Sequence, residues 1–214
     1  MIEKSPLILD FQTVVQQVQS KLRNYQPHRI HREGVKRSAV MILFINKQSV
    51  PHIIFTRRTE WVENHKGQIS FPGGMHDEND VDLRYTARRE TFEEIGIYPE
   101  QINILGQLDD FFTVTNFIVT PFAGVVTDDF SYQINEREVA KVLEVPLDVF
   151  LRSDKFEVKK WPYKNELYDV FFYYYEQEVI WGVTAFILNR FIDLVFQYNP
   201  APASLILDPR QVKI

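Results

Sequence analysis

The chain has 214 residues, no cysteine and a formal net charge of −5. Disulfides, thiolate metal sites and thiol nucleophiles are excluded, and general electrostatic attachment to nucleic acid is disfavoured. The length suits one domain with a sizeable core, and no apolar run reaches membrane-spanning length.

The N-terminal segment lacks a basic start, an apolar core and a small-residue cleavage site. No signal peptide is expected, and a cytoplasmic location is expected. Residues 7–24 place Leu9, Phe11, Val14, Val15, Val18 and Leu22 at helical spacing, which predicts an amphipathic helix. "QPHRIHREGVKR" is polar and reads as a connector. "SAVMILFI" is a continuous apolar run of buried-strand type, "KQSVP" turns the chain, and "HIIFTRR" completes a hairpin. "TEWVENHKGQISFPGGM" reads as a loop rich in glycine. From Asp80 or Asp82 to Ile95 the pattern is helical, with acidic caps at the start and Gly96 at the end.

Downstream, "INILGQLDDFFTVTNFIVTPFAGVV" predicts two strands. "INEREVAKVLEVPLDVFL" predicts a short helix and a strand-like segment, and "LYDVFFYYYEQEVIWGV" one aromatic strand or a hairpin. "TAFILNRFIDLVFQY" predicts a helix with Ala185, Leu188, Ile192 and Val195 as one stripe. The tail after Asn199 is expected along the surface. Mixed strands and helices predict an α/β or α+β sandwich with helices on both faces of a sheet.

The chemistry concentrates in "RRETFEEIGI", Arg88 to Ile97. Glu90, Glu93 and Glu94 stand at i, i+3 and i+4, on one face of a helix. At about 100° per residue they continue the face begun by Leu83 and Ala87, while Tyr85, Phe92 and Ile95 lie on the other side. One reading turns Tyr85, Phe92 and Ile95 into the core and leaves the glutamates solvated. The other has a cation relieve their repulsion, roughly 4 kcal/mol for unit charges about 4 Å apart at an effective dielectric of about 20. The apolar stripe beneath the acids, the preceding double glycine and the neighbouring Arg89 favour the second. All-oxygen ligands select Mg²⁺ or Mn²⁺ and leave room for substrate phosphates.

These residues resemble the Nudix hydrolase signature, G-x5-E-x7-R-E-U-x-E-E-x-G-U with U aliphatic. Gly74 begins it, and Arg89, Glu90, Glu93, Glu94, Gly96 and Ile97 match its second half. Asp80 stands at the first acidic position, one residue further from Arg89 than usual, and Thr91 at the first aliphatic one. "TRRTEWVENHKGQISFPGG" resembles the upstream signature of the coenzyme A pyrophosphatase branch: Arg58, His65, Gly67, Gln68, Phe71, Pro72, Gly73 and Gly74 fall on it. "EREVAKVLEVPL" and "VIWGVTAFIL" are similar to that branch's later segments.

The resemblance implies a Nudix-type α/β/α sandwich with a mixed sheet between helices. Its domain would span residues 36–198, with an N-terminal helix and connector over 1–35 and a tail over 199–214. It implies metal-dependent hydrolysis of the pyrophosphate bond of coenzyme A or its thioesters, giving 3′,5′-ADP and a 4′-phosphopantetheine. Glu90, Glu93 and Glu94, with the Gly74 carbonyl, would hold Mg²⁺ or Mn²⁺ beside Arg89. Arg58, His65, Gln68 and Gly73 are candidates for substrate binding, against plain strand-end and loop-packing roles; Glu138 is a candidate base. The alternatives are a Nudix enzyme for another nucleoside diphosphate derivative, such as ADP-ribose or NADH, and a non-catalytic nucleotide-binding module. The expected partner is a small molecule, without nucleic acid or membrane, and the N-terminal helix and aromatic strand offer a homodimer surface.

Overall fold

A computed structural model describes residues 9–61, 66–127, 129–163 and 166–201. Helix α1 (Phe11–Arg23) starts one residue after Asp10, whose carboxylate accepts the Thr13 N–H at 2.9 Å. The cap shortens the expected helix at its N-terminus and leaves Leu9 outside it. Phe11, Val14, Val18 and Leu22 form its buried stripe.

Strands β1 (Lys36–Lys47) and β2 (Val50–Arg58) pair antiparallel up to Lys47↔Val50. Gln48 and Ser49 both have positive φ, 53° and 67°, the backbone a tight two-residue hairpin turn demands. The segment read as a loop carries two short strands, β3 (Ile69–Ser70) on β2 and β4 (Gly73–Met75) on β1. Helix α2 (Leu83–Ile95) follows, capped by Asp82 through the Tyr85 N–H and closed by Gly96 at φ 77°.

The rest of the large sheet is β5 (Ile102–Gln107), β6 (Phe111–Phe112), β7 (Phe117–Val126) and β8 (Val139–Pro146). The main order is β3-β2-β1-β7-β5, with β4 also on β1, β6 on β7 and β8 on β2. The β1–β7 pair is parallel and the others antiparallel, so the sheet is mixed. Residues 139–151 hold both expected elements, strand β8 followed by a short 3-10 turn at Leu147–Leu151. A second sheet, β11-β10-β9, consists of β9 (Phe156–Tyr163), β10 (Glu166–Tyr175) and β11 (Glu178–Trp181). The aromatic segment is thus a hairpin, and β9 is a strand the sequence reading missed. Helix α3 (Gly182–Phe196) ends the described fold.

Both faces of the large sheet are covered. Ile42, Phe44, Ile53 and Phe55 pack with α1 and α3, while Met41, Leu43 and Ile54 pack with Ala87 and Ile95 of α2. Alternate residues of β1 therefore enter two different cores, which is why the run from Ala39 to Ile45 has no polar positions. At roughly 25 cal/mol per Å² of apolar surface removed from water, such double-sided burial is the main stabilising term. The architecture is the expected α/β/α sandwich. Among the described residues, no helix is long and apolar enough to cross a membrane.

Candidate active site

Three chain segments meet at the C-terminal half of α2. The first is β4, whose Gly74 pairs with Ala39 of β1 and lies beneath Glu90. A Cβ at Gly74 would fall on the Glu90 carboxylate. The second is the end of β2, where Arg58 donates its N–H to the Gln68 carbonyl at 2.9 Å. The third is the stretch before β8. Gln133 and Asn135 donate their N–H groups to the Ile95 and Glu94 carbonyls, both at 3.0 Å, filling acceptors a helix end otherwise leaves unpaired. Glu138 then accepts the Thr59 N–H through its carbonyl, at 2.9 Å, fastening this stretch to the end of β2.

The burial of α2 goes against the reading that turns Tyr85, Phe92 and Ile95 together into the core. Ile95 is buried, but Tyr85 and Phe92 are exposed at 47% and 38%, with the Phe92 ring against Tyr98. The buried face is Thr86, Ala87, Thr91, Glu94 and Ile95. Glu94 is only 2% exposed. Its Oε1 lies 3.8 Å from Arg58 Nη1, and its Oε2 accepts the Gly73 N–H at a long 3.4 Å. Burial pushes its pKa up to about 8; Arg58 opposes that shift, while Glu90 and Glu138 add to it. Glu90 is raised as well, first by burial, with Arg89 opposing and Glu93 and Glu138 reinforcing. Glu93 is the outermost of the three, its side chain half exposed.

Arg89 binds the surrounding groups together. Its Nε and Nη2 take both oxygens of Asp80, at 2.8 and 2.9 Å. Nη1 donates to Glu93 Oε2 at 2.8 Å, and Nη2 reaches Glu90 Oε1 at 2.9 Å and the Met75 carbonyl at 3.0 Å. Asp80 also accepts from Thr86 Oγ1 and from the Asp77 N–H. Hydrogen bonds from Arg89 hold the Asp80 carboxyl far below the usual carboxylate range. The extra residue before Arg89 is absorbed in the turn at residues 77–82, so Asp80 meets the guanidinium despite the shifted spacing. Nothing in the sequence spacing alone gave Asp80 this role.

Gly73 occupies φ 148°, and a Cβ there would collide with the Ala39 carbonyl oxygen and the Val40 backbone. Gly73→Ala is expected to destabilise the fold by about 2 kcal/mol or more, read by thermal melting against wild type. His65 lies outside the described residues. Gln68 contributes its carbonyl to Arg58, and its place is the loop end leading into β3.

The donor set suits a hard divalent ion: carboxylates, a backbone carbonyl and no sulfur. The buried, under-compensated Glu94 is the group that most needs a cation. In the arrangement described, Arg89 engages Glu90 and Glu93, and no three acidic or histidine side chains among the described residues converge as a ready metal cluster.

A sequence profile of the NUDIX domain matches residues 35–171. A protein named "Uncharacterized Nudix hydrolase NudL" from Cronobacter sakazakii is 31% identical over 201 residues, 94% of this chain and 100% of the relative. Its namesake from Photorhabdus laumondii is 35% identical over 154 residues, 72% of this chain and 82% of the relative. Among solved structures, the NUDIX domain of Shewanella oneidensis NrtR complexed with ADP ribose aligns at 20% identity and a TM-score of 0.45, over 58% of this chain and 80% of that one.

Proposed function

Because the chain belongs to the Nudix family and is a Nudix hydrolase, we propose that it hydrolyses the pyrophosphate bond of coenzyme A or its thioesters with Mg²⁺ or Mn²⁺. The products are 3′,5′-ADP and a 4′-phosphopantetheine. The observation that carries the reading is Glu94, buried at the meeting point of the three segments with an incomplete counterion. The coenzyme A assignment is supported by the upstream segment from Thr56 to Gly74. Its Arg58 extends toward Glu94, and its Gly73 and Gly74 form the strand under Glu90.

Glu90, Glu93 and Glu94, with the Gly74 carbonyl, would hold the metal. When bound, the ion supplies charge neutralisation for the diphosphate and acidifies water. Arg89 sets the rotamers of Glu90 and Glu93 from its anchor on Asp80. Arg58 offers a guanidinium fork to a phosphate oxygen. Glu138 is close enough to raise both Glu90 and Glu94, and in this scheme it accepts the proton of the attacking water.

The raised Glu94 pKa gives a direct prediction. In the metal-free protein at pH 7 the carboxyl is mainly protonated, because its pKa is about 8. Metal uptake needs the carboxylate, so binding is expected to release close to one proton per chain. Calorimetric enthalpies in two buffers of different ionisation enthalpy measure that number. Zero net release would remove Glu94 from the metal's ligands.

The substrate assignment is tested by incubating the chain with coenzyme A, ADP-ribose and NADH at matched concentrations with Mn²⁺, and identifying products by mass spectrometry. Coenzyme A is expected to turn over fastest, yielding 3′,5′-ADP. Much faster cleavage of ADP-ribose would overturn the substrate and leave the hydrolase reading standing.

A further inference from the structure

A cleft of about 460 Å³ lies on the flank of α2 away from the glutamates. It runs between α2, strand β5, the end of α1 and the connector that follows. On the α2 wheel, Arg84 and Arg88 stand about 80° or more from Glu90, Glu93 and Glu94. They face β5, and Arg88 Nη2 donates to the Ile102 carbonyl at 3.0 Å. Arg23, at the end of α1, and Arg29, in the connector, line the same cleft.

Its lining contains these four arginines and no aspartate or glutamate. Elsewhere in this acidic chain, arginines at strand ends and helix faces are paired: Arg37 with Asp110, Arg57 with Glu178, Arg89 with three acids. Among the described residues, none of the four cleft arginines makes an ion pair with a carboxylate. Solvated surface arginines would account for Arg23, Arg29 and Arg84, which are exposed. They would not account for two buried donors in the lining. Arg88 Nε and Gln107 Nε2 are both shielded from solvent and have no acceptor. A buried donor without a partner costs about 1–3 kcal/mol, and more on a charged group.

β5 is the terminal strand of the main sheet path and leaves one side of the cleft unpaired by another strand. Leu22, Tyr25, Ile104 and Leu105 add an apolar wall beside the arginines. The volume falls in the usual range for small-molecule sites, roughly 300–1,000 Å³. Guanidinium forks match phosphate oxygens bidentately, and four of them call for a ligand of several negative charges. We infer that this cleft is a second ligand site, separate from the acidic cluster, for a phosphorylated small molecule carrying two or more phosphate groups. It binds without a divalent ion, because the arginines supply the positive charge.

Inorganic pyrophosphate, titrated by calorimetry in EDTA, separates this site from the metal-dependent one. Wild type is expected to bind, and the Arg29→Ser/Arg84→Ser double variant to bind at least tenfold more weakly. A Glu93→Gln/Glu94→Gln variant is expected to bind as wild type does. A mutation-free readout accompanies it: pyrophosphate in EDTA should protect Arg23, Arg29, Arg84 and Arg88 from phenylglyoxal, mapped by peptide mass spectrometry. The inference is overturned by absence of binding in EDTA, by equal binding in the arginine variant, by loss of binding in the glutamate variant, or by protection confined to Arg58 and Arg89. None of those results bears on whether coenzyme A is cleaved.

Discussion

Glu94→Gln is expected to lower turnover about a thousandfold, roughly 4 kcal/mol of transition-state stabilisation, while the metal-free protein keeps its fold. Two consequences of one buried carboxyl separate here. Its folded pKa of about 8 lies above the ordinary glutamate value of 4.5. The folded state therefore binds more protons than the unfolded chain between those values. This component of metal-free stability is lost as pH rises from 4.5 through about 8. Glutamine fills the same space without a charge, so the variant should lack that decline and melt no lower than wild type above pH 8. Divalent metal should raise the melting temperature of wild type and not of the variant. Thermal melts across pH, with and without Mn²⁺, alongside steady-state kinetics, check both halves. Unchanged turnover would remove Glu94 from the site; a collapsed fold would make it a structural residue.

Arg89→Ala is expected to cost about 3–5 kcal/mol of stability, because it strands a nearly buried Asp80 carboxylate without its partner. The sign with pH follows from Asp80. Arg89 holds its folded pKa below the ordinary value of 3.8, so the stabilisation is present above that value and is lost as pH falls. Turnover should fall in the same variant, since Glu90 and Glu93 lose the group that fixes their rotamers. A second substitution distinguishes the two effects. Arg89→Ala with Asp80→Asn removes the stranded charge, and it should recover much of the stability and little of the turnover. Denaturant unfolding and steady-state rates on the single and double variants measure this. Recovery of both together would mean that Arg89 acts only by supporting the fold.

Much of this arrangement was legible in the sequence, for reasons that can be named. The unbroken apolar run of β1 announced a strand buried on both faces, and the structure sends Ile42 and Phe44 to one core and Met41 and Leu43 to the other. Gly96 marked the end of α2, and of the two candidates for its start, Asp80 and Asp82, the structure uses Asp82, through capping chemistry that is local to those residues. The orientation of α2 was harder to read. A helical wheel orders side chains around an axis but does not say which side meets the sheet, so it left open a reading with Tyr85 and Phe92 in the core. Apart from Ile95, the buried face proved to be made of small residues and one acid, a pattern that hydrophobicity does not pick out. Strand β9 escaped because Lys159, Lys160, Trp161 and Pro162 interrupt its alternation; its pairing with β10 is what fixes it.

The site divides the same way. The acidic spacing on α2 was visible because helix geometry is local. The approach of Arg58 to Glu94 was not, since it depends on β2 ending beside α2. The docking of residues 133–138 on the end of α2 likewise follows from carbonyls that only the folded helix leaves open. Asp80 was hidden by the shifted spacing and became visible once the turn before α2 placed it under Arg89.

The central claim, that Glu90, Glu93 and Glu94 gather a divalent ion for work on a diphosphate, is tested most directly by counting that ion. Mn²⁺ is titrated into the purified chain with 3′,5′-ADP present, and the free ion is followed by its paramagnetic resonance signal. Wild type should remove Mn²⁺ from solution, and the Glu93→Gln/Glu94→Gln double variant should leave it free. Equal uptake by both proteins, or none by wild type, would contradict the account.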